Sequence, residues 1–128
     1  MIVDSSALLA IVFREPGFEG LVGKLRQSGS TGIGTPTLTE TGIVLTARLR
    51  NDPRGLMARM LQEFRITPVP FGEPHWREAL SAFERFGKGR HPARLNFGDC
   101  MSYSTAKLAR QPLLFVGNDF TQTDIPRA

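Results

Sequence analysis

Four carboxylates far apart in the chain, Asp4, Glu40, Asp99 and Asp119, are the side chains best suited to chemistry. Brought to one place they would repel one another unless a cation offset them. An all-oxygen set without His or Cys suits a hard divalent ion, Mg²⁺ or Mn²⁺. Such an ion polarises water and stabilises charge on a phosphate under in-line attack, so the set points to phosphodiester hydrolysis. Each acid also has a plain structural reading. Asp4 suits a helix N-cap, Thr37-Leu38-Thr39-Glu40 matches a capping box, Asn96 to Asp99 comes close to one, and Asn118-Asp119 suits a turn. Position alone leaves both readings open for each residue.

The elements that must position these acids follow from the hydrophobic pattern. Phe18, Leu21, Val22 and Leu25 recur at helical spacing, as do Leu56, Met57, Met60, Leu61 and Phe64, and then Trp76, Ala79, Leu80, Phe83 and Phe86. These stripes are expected to pack into the core. Ile2-Val3, Thr31 to Gly34, Ile66 to Phe71 and Leu113 to Val116 read as short strands, the third an edge because of Pro68 and Pro70. Strands separated by helices predict parallel βαβ units, hence an α/β fold: a three-layer α/β/α sandwich with a small, mostly parallel sheet. At 128 residues the chain fits one domain, 1–128. Asp4 and Asp119 then follow strands, Glu40 lies about one turn into the helix after the second strand, and Asp99 falls in the first turn of its helix. In a parallel sheet those places share the edge where ligands bind.

Composition agrees with a nucleic-acid substrate. The net charge is +4 and Arg supplies most of it, since Lys24, Lys88 and Lys107 are the only lysines. Guanidinium forks match phosphate oxygens. Between Glu84 and Asp99 lie Arg85, Lys88, Arg90, His91 and Arg94 with no acid. Gly87, Gly89 and Pro92 predict a mobile loop there, and Lys88, Arg90, His91 and Arg94 are candidate RNA contacts. Arg48 and Arg50 are second candidates. Lone Cys100 excludes an internal disulfide and a Cys-rich zinc site, and reads as a small buried residue. There is no signal-like N-terminus and no apolar run near the roughly 20 residues that cross a bilayer, so the expected location is the cytoplasm. P-loop, dinucleotide and serine-hydrolase signatures are missing.

The ordered segments Ile2-Val3-Asp4-Ser5-Ser6-Ala7, Thr37-Leu38-Thr39-Glu40-Thr41, Leu95-Asn96-Phe97-Gly98-Asp99-Cys100 and Phe115-Val116-Gly117-Asn118-Asp119-Phe120, followed by Thr123-Asp124, resemble the PIN domain family. Within it they are similar to the VapC toxins of VapBC toxin–antitoxin pairs. Gly87 to His91 is also similar to one VapC subgroup. The resemblance covers essentially the whole chain. It implies a Mg²⁺- or Mn²⁺-dependent endoribonuclease acting on structured RNA such as tRNA or ribosomal RNA, leaving 5′-phosphate and 3′-hydroxyl ends. The family's first three acids map onto Asp4, Glu40 and Asp99. Its more variable fourth maps onto Asp119, and Gly117 stands where some members carry a further acid. Asp4 and Asp99 would ligate most directly, Glu40 would ligate or hold a water, and Asp119 would complete the pocket. Ser6 and Asp124 are candidates for the surrounding shell. The resemblance also implies a homodimer and a VapB-like antitoxin that places a basic side chain in the acidic pocket, with Leu8, Leu9, Val12 and Phe13 as candidate contacts. Two rivals remain at this point: a non-catalytic PIN-like RNA-binding module, and a different acid–metal enzyme such as a phosphatase.

Overall fold

In a computed structural model, which describes residues 1–128, the chain alternates short strands with helices. The order is β1 (Ile2–Val3), α1 (Ser5–Val12), α2 (Phe18–Gln27), β2 (Thr31–Gly34), α3 (Thr35–Leu49), α4 (Arg54–Glu63), β3 (Ile66–Val69), α5 (Glu73–Phe86), α6 (Phe97–Ala109) and β4 (Leu113–Leu114). The four strands pair in parallel in the order β3-β2-β1-β4. The sheet is therefore wholly parallel, and β3 with its Pro68 lies at an edge, where a residue without an N–H is tolerated.

Successive side chains of a strand point to opposite faces. Ile2 accordingly joins a core built from α5, α6 and the buried rings of Phe115 and Phe120, whereas Val3 joins one built from α1, α2 and α4. Helices thus cover both faces, and α3 touches both α1 and α6. The apolar run that predicts a strand over 113–116 forms ladder pairs only at Leu113 and Leu114. Beyond that point Val116 N–H turns to a side chain, and the tail returns to close the free edge through Leu113 N–H to Pro126 O and Ala128 N–H to Leu113 O, both 2.9 Å.

The α5 stripe divides. Ala79, Ala82 and Phe86 are buried, but Trp76, Leu80 and Phe83 are 48%, 53% and 36% exposed. The sequence expectation that the whole stripe fills the core fails here because two adjacent apolar rows occupy this helix and the core accepts one of them. With Phe97, which is 79% exposed, the second row forms an apolar wall beside the start of α6.

Chain order runs outward from β1 through β2 to β3, then returns to place β4 on the other side of β1. The order reverses between β1 and β4, and the crevice beyond the strand ends at such a reversal is where open α/β sheets take ligands.

Candidate active site

The four acids lie near enough to this crevice for the charges of Asp4, Glu40 and Asp119 all to act on Asp99. Asp4 leaves β1 and caps α1, accepting from Ser6 N–H at 3.0 Å and from the Ser6 hydroxyl. Its other oxygen accepts a short hydrogen bond from Ser102 Oγ on α6, and Ser102 Oγ lies 3.1 Å from Thr37 Oγ1 on α3. Asp4, Thr37 and Ser102 are all buried. Three elements separated in sequence are thereby tied together through one carboxylate. The cap reading of Asp4 is correct but incomplete, since a helix cap does not require a donor from a distant helix.

Glu40 has no capping role. Thr35 is already helical and Gly34 is the N-cap of α3, so the apparent box at Thr37 to Glu40 lies inside the helix. The Glu40 carboxylate instead accepts from Ser5 Oγ at 2.7 Å and lies over Gly98. Asp99 does form a capping box with Asn96: Asp99 N–H donates to Asn96 Oδ1 at 2.9 Å and Asn96 N–H to Asp99 Oδ2 at 3.0 Å. It is nevertheless buried beside other negative charge. Burial first, then the charges of Asp119, Asp4 and Glu40, push the Asp99 carboxyl up to about 7 against the opposing effect of the Asn96 N–H. Asp119 is exposed on the turn after β4, and its charge is the strongest of the three acting on Asp99.

No Lys or Arg forms an ion pair with any of these four acids; the chain's ion pairs all involve other carboxylates. The acids are held by hydroxyls and amides and stand off from one another, so no three form a ready group of metal ligands. Mutual repulsion accounts for that spacing. A hard oxygen set, sharing negative charge without a basic partner, fits a divalent cation such as Mg²⁺.

Asp124 does not join this set. Its Oδ1 accepts from Tyr103 OH at 2.5 Å, and its Oδ2 accepts from Lys107 Nζ at 2.7 Å and Arg85 Nη2 at 3.3 Å. Burial works to raise its pKa, but the bonds from Lys107 and Tyr103 outweigh it and bring the group down to about 2. Burial and the neighbouring Asp124 charge push the Tyr103 hydroxyl well above its ordinary range, so it stays a donor. Cys100 is buried and its thiol is pushed up to about 11, first by burial and then by Asp99.

The segment from Gly87 to Leu95 is closed by its own backbone. Lys88 N–H donates to Leu95 O, Leu95 N–H to Phe86 O, and Arg90 and His91 N–H both to Gly87 O. Gly89 takes φ +84°, which favours glycine. The loop expected there is a hydrogen-bonded turn whose Lys88, Arg90, His91 and Arg94 line a hollow of about 500 Å³. Arg48 by contrast lies 3.6 Å over the Phe13 ring.

Ser5, Ser102, Thr37 and Gly98 had not stood out as functional in the sequence. The signal for Ser102 was available, because i+3 from Asp99 puts both on one helical face. Gly98 could be found only from its closeness to Glu40, a contact across 58 positions of chain.

A family model described as PIN domain matches residues 1–126. Ribonuclease VapC36 of Mycobacterium tuberculosis is 47% identical over 126 residues, covering 98% of this chain and 91% of that one. Ribonuclease VapC of Mycolicibacterium smegmatis is 38% identical over 125 residues, covering 98% and 97%. Among solved structures, Mycobacterium tuberculosis VapC20, described as a Sarcin-Ricin loop cleaving toxin, superposes with a TM-score of 0.79 at 14% identity over 99% of this chain and 97% of that one. A toxin–antitoxin complex from Klebsiella pneumoniae gives 0.71 at 14% identity over 96% and 92%. At 14% identity the two structures speak for the fold, while the sequence relatives fix the family. The chain belongs to the PIN domain family, among its VapC ribonucleases.

Proposed function

We propose that this protein is the toxin of a type II toxin–antitoxin pair and a Mg²⁺- or Mn²⁺-dependent endoribonuclease that hydrolyses phosphodiester bonds in structured RNA. The observation that carries the reading is Asp99, buried at the reversal of strand order under the combined charge of Asp119, Asp4 and Glu40 with no basic side chain to offset it. Asp4 and Asp99 would hold the cation, with Glu40 and Asp119 completing its surroundings. When bound, the ion supplies Lewis acidity toward the phosphate and makes water a better nucleophile.

The chain's own groups do the rest. Ser102 and Ser6 fix the two oxygens of Asp4, and Ser5 aims Glu40. Asn96 fixes Asp99 through paired backbone bonds. Glu40, engaged by one hydroxyl, keeps an oxygen free to hold water or accept a proton from it. Lys88, Arg90 and Arg94 precede α6 and present positive charge for the RNA backbone, with the His91 ring beside them. Attack by water needs no 2′-hydroxyl, which agrees with 5′-phosphate and 3′-hydroxyl products.

The partner is a VapB-like antitoxin whose basic side chain fills the acidic pocket. Leu8 is unavailable to it, being buried in the core, but Val12 lines a groove between α1, α2 and α4 in which apolar side chains alternate with Arg14, Glu19, Arg26 and Glu63. A homodimer is the assembly proposed for the chain, and Trp76, Leu80 and Phe83 are exposed apolar side chains on α5. No helix is long and apolar enough to cross a membrane, and a cytoplasmic location suits an RNA target.

The test presents purified protein with structured RNA, single-stranded DNA and a phosphomonoester, with Mg²⁺, Mn²⁺ or EDTA, followed by mapping of product ends. Cleavage of RNA alone, abolished by EDTA, is expected. RNA binding without cleavage would instead identify a binding module, and turnover of the monoester a phosphatase.

A further inference from the structure

The turn that carries Asp119 has little secondary structure of its own. Ladder pairing of β4 stops at Leu114, and the following residues are joined by local bonds such as Thr121 N–H to Asn118 O at 3.1 Å and Thr123 Oγ1 to Phe120 O at 2.8 Å. The start of the turn is anchored elsewhere, Val116 N–H donating to Ser6 Oγ at 3.0 Å and Arg127 Nη2 to Gly117 O at 3.3 Å, but no hydrogen bond ties residues 118–123 to α6. The negative charge of Asp119 disfavours ionised Asp99 nearby, and neither has a basic partner, so nothing in this pair draws the turn toward α6.

The geometry of α6 supplies such a pull. Asp99, Tyr103 and Lys107 follow one another at intervals of four residues, so they share one face of the helix. The turn meets that face at Asp124, which Tyr103 and Lys107 hold, and Asp119 lies near enough for its charge to act on Asp99. One rung is repulsive. The other carries three donors on a single carboxylate: the hydroxyl of fully buried Tyr103, the ammonium of Lys107, and the guanidinium of Arg85 from α5. Arg85 Nη1 also donates to Tyr103 OH at 3.5 Å, which orients the phenol toward Asp124. Between the rungs, Phe120 is buried with its ring centroid 5.0 Å from that of Phe115, a pivot about which the turn would swing.

We propose that Asp124, gripped by Tyr103, Lys107 and Arg85, is a positioning residue that clamps the 116–124 turn to α6 and so holds Asp119 against Asp99. This rests on the reading that Asp119 belongs to the cation site. Asp124 touches neither substrate nor cation; it acts through Asp119. Each ion pair is about half exposed and weak alone. The buried phenol makes the grip directional, because a hydroxyl fixed in the core allows one placement of the carboxylate.

The experiment compares Tyr103→Phe, Lys107→Met, Lys107→Arg and Asp119→Asn with wild type. It also pairs Tyr103→Phe with Asp119→Asn. Measured are Mn²⁺ affinity from the free-ion electron paramagnetic signal, kcat and KM on RNA, and amide exchange over residues 116–123. Tyr103→Phe and Lys107→Met are expected to weaken Mn²⁺ binding about tenfold, as for other partners that orient ligands. They should lower kcat with KM unchanged and speed exchange in the turn alone. Lys107→Arg should restore function, and Tyr103→Phe should cause no further loss once Asp119 is Asn. A turn held by packing alone would give unchanged Mn²⁺ affinity and losses that multiply in the double variant, which would overturn the clamp. If Tyr103→Phe unfolds the protein, the half-exposed Lys107 pair decides by the same readouts. Wild type that cleaves RNA without a divalent ion would sink the functional reading itself. Normal wild-type cleavage with an inert Asp119→Asn would sink only the clamp.

Discussion

The carboxylate of Glu40 occupies the space a β-carbon on Gly98 would need: such a carbon would overlap Oε2 and come within 2.8 Å of Cδ. Glycine is required there by close approach, since Gly98 φ is not in the left-handed region. Gly98→Ala is therefore expected to displace the mobile end of Glu40 while leaving the fold intact. RNA cleavage should fall about 100-fold, the scale on which small misplacements of a reacting group act, with a thermal midpoint near that of wild type. A variant that cleaves normally would show that Glu40 need not sit where it does.

Ser102→Ala removes the donor that joins Asp4 to α6 and the neighbour of the Thr37 hydroxyl. Both remaining partners are buried. Loss of the bond should cost about 1–3 kcal/mol in denaturant unfolding and 10- to 100-fold in cation affinity or turnover. Stability and activity should drop together here, in contrast to Gly98→Ala.

Much of this was legible before folding. Parallel βαβ order, the edge character of the Pro68 strand, the Asn96 cap and the placement of the four acids follow from local rules, and the structure agrees with the fold-level ones. What escaped is non-local. The capping-box pattern at Thr37 to Glu40 is genuine as a pattern, yet α3 starts two residues before Thr37, so the box has no helix end to cap. Trp76 and Leu80 carry the spacing of core residues, and only the packing of α5 on α6 shows that Ala79 and Ala82 take the buried place. Thr123-Asp124 looked like an extension of the acid set, but three donors from α5 and α6 claim Asp124. Pairings of that kind depend on which helices neighbour one another.

The raised pKa of Asp99 gives pH dependence with a definite sign. A carboxyl at about 7 when folded and 3.8 as its ordinary value binds a proton more readily in the folded protein. Stability in EDTA should therefore be highest below about pH 3.8, as far as this group decides it, fall as pH rises from there to about 7, and level off above. At pH 8, Asp99→Asn should stabilise the chain by at most about 4 kcal/mol while abolishing cleavage, taking roughly 1.4 kcal/mol per pH unit of difference. Since protons compete with the cation, the acid limb of activity should lie near pH 7 at low Mg²⁺ and move lower as Mg²⁺ increases. Urea melts at pH 5 and 8 together with rate profiles at two Mg²⁺ levels check both signs.

Positive charge around the Gly87–Leu95 turn acts on binding rather than on the bond broken. Arg90→Ala and Arg94→Ala should each raise KM several-fold, leave kcat nearly unchanged, and lower the slope of log affinity against log salt by about 1. Fluorescence anisotropy with a labelled RNA at several salt concentrations measures that slope. Equal losses in kcat would move these arginines from the RNA backbone to the reacting centre.

The most direct measurement is Mn²⁺ binding to wild type, Asp4→Asn and Asp99→Asn, followed by the loss of the free-ion electron paramagnetic signal. Saturable binding to wild type that is lost or weakened at least tenfold in each variant is the predicted result. Equal Mn²⁺ uptake by all three proteins, with each still folded, would contradict the account.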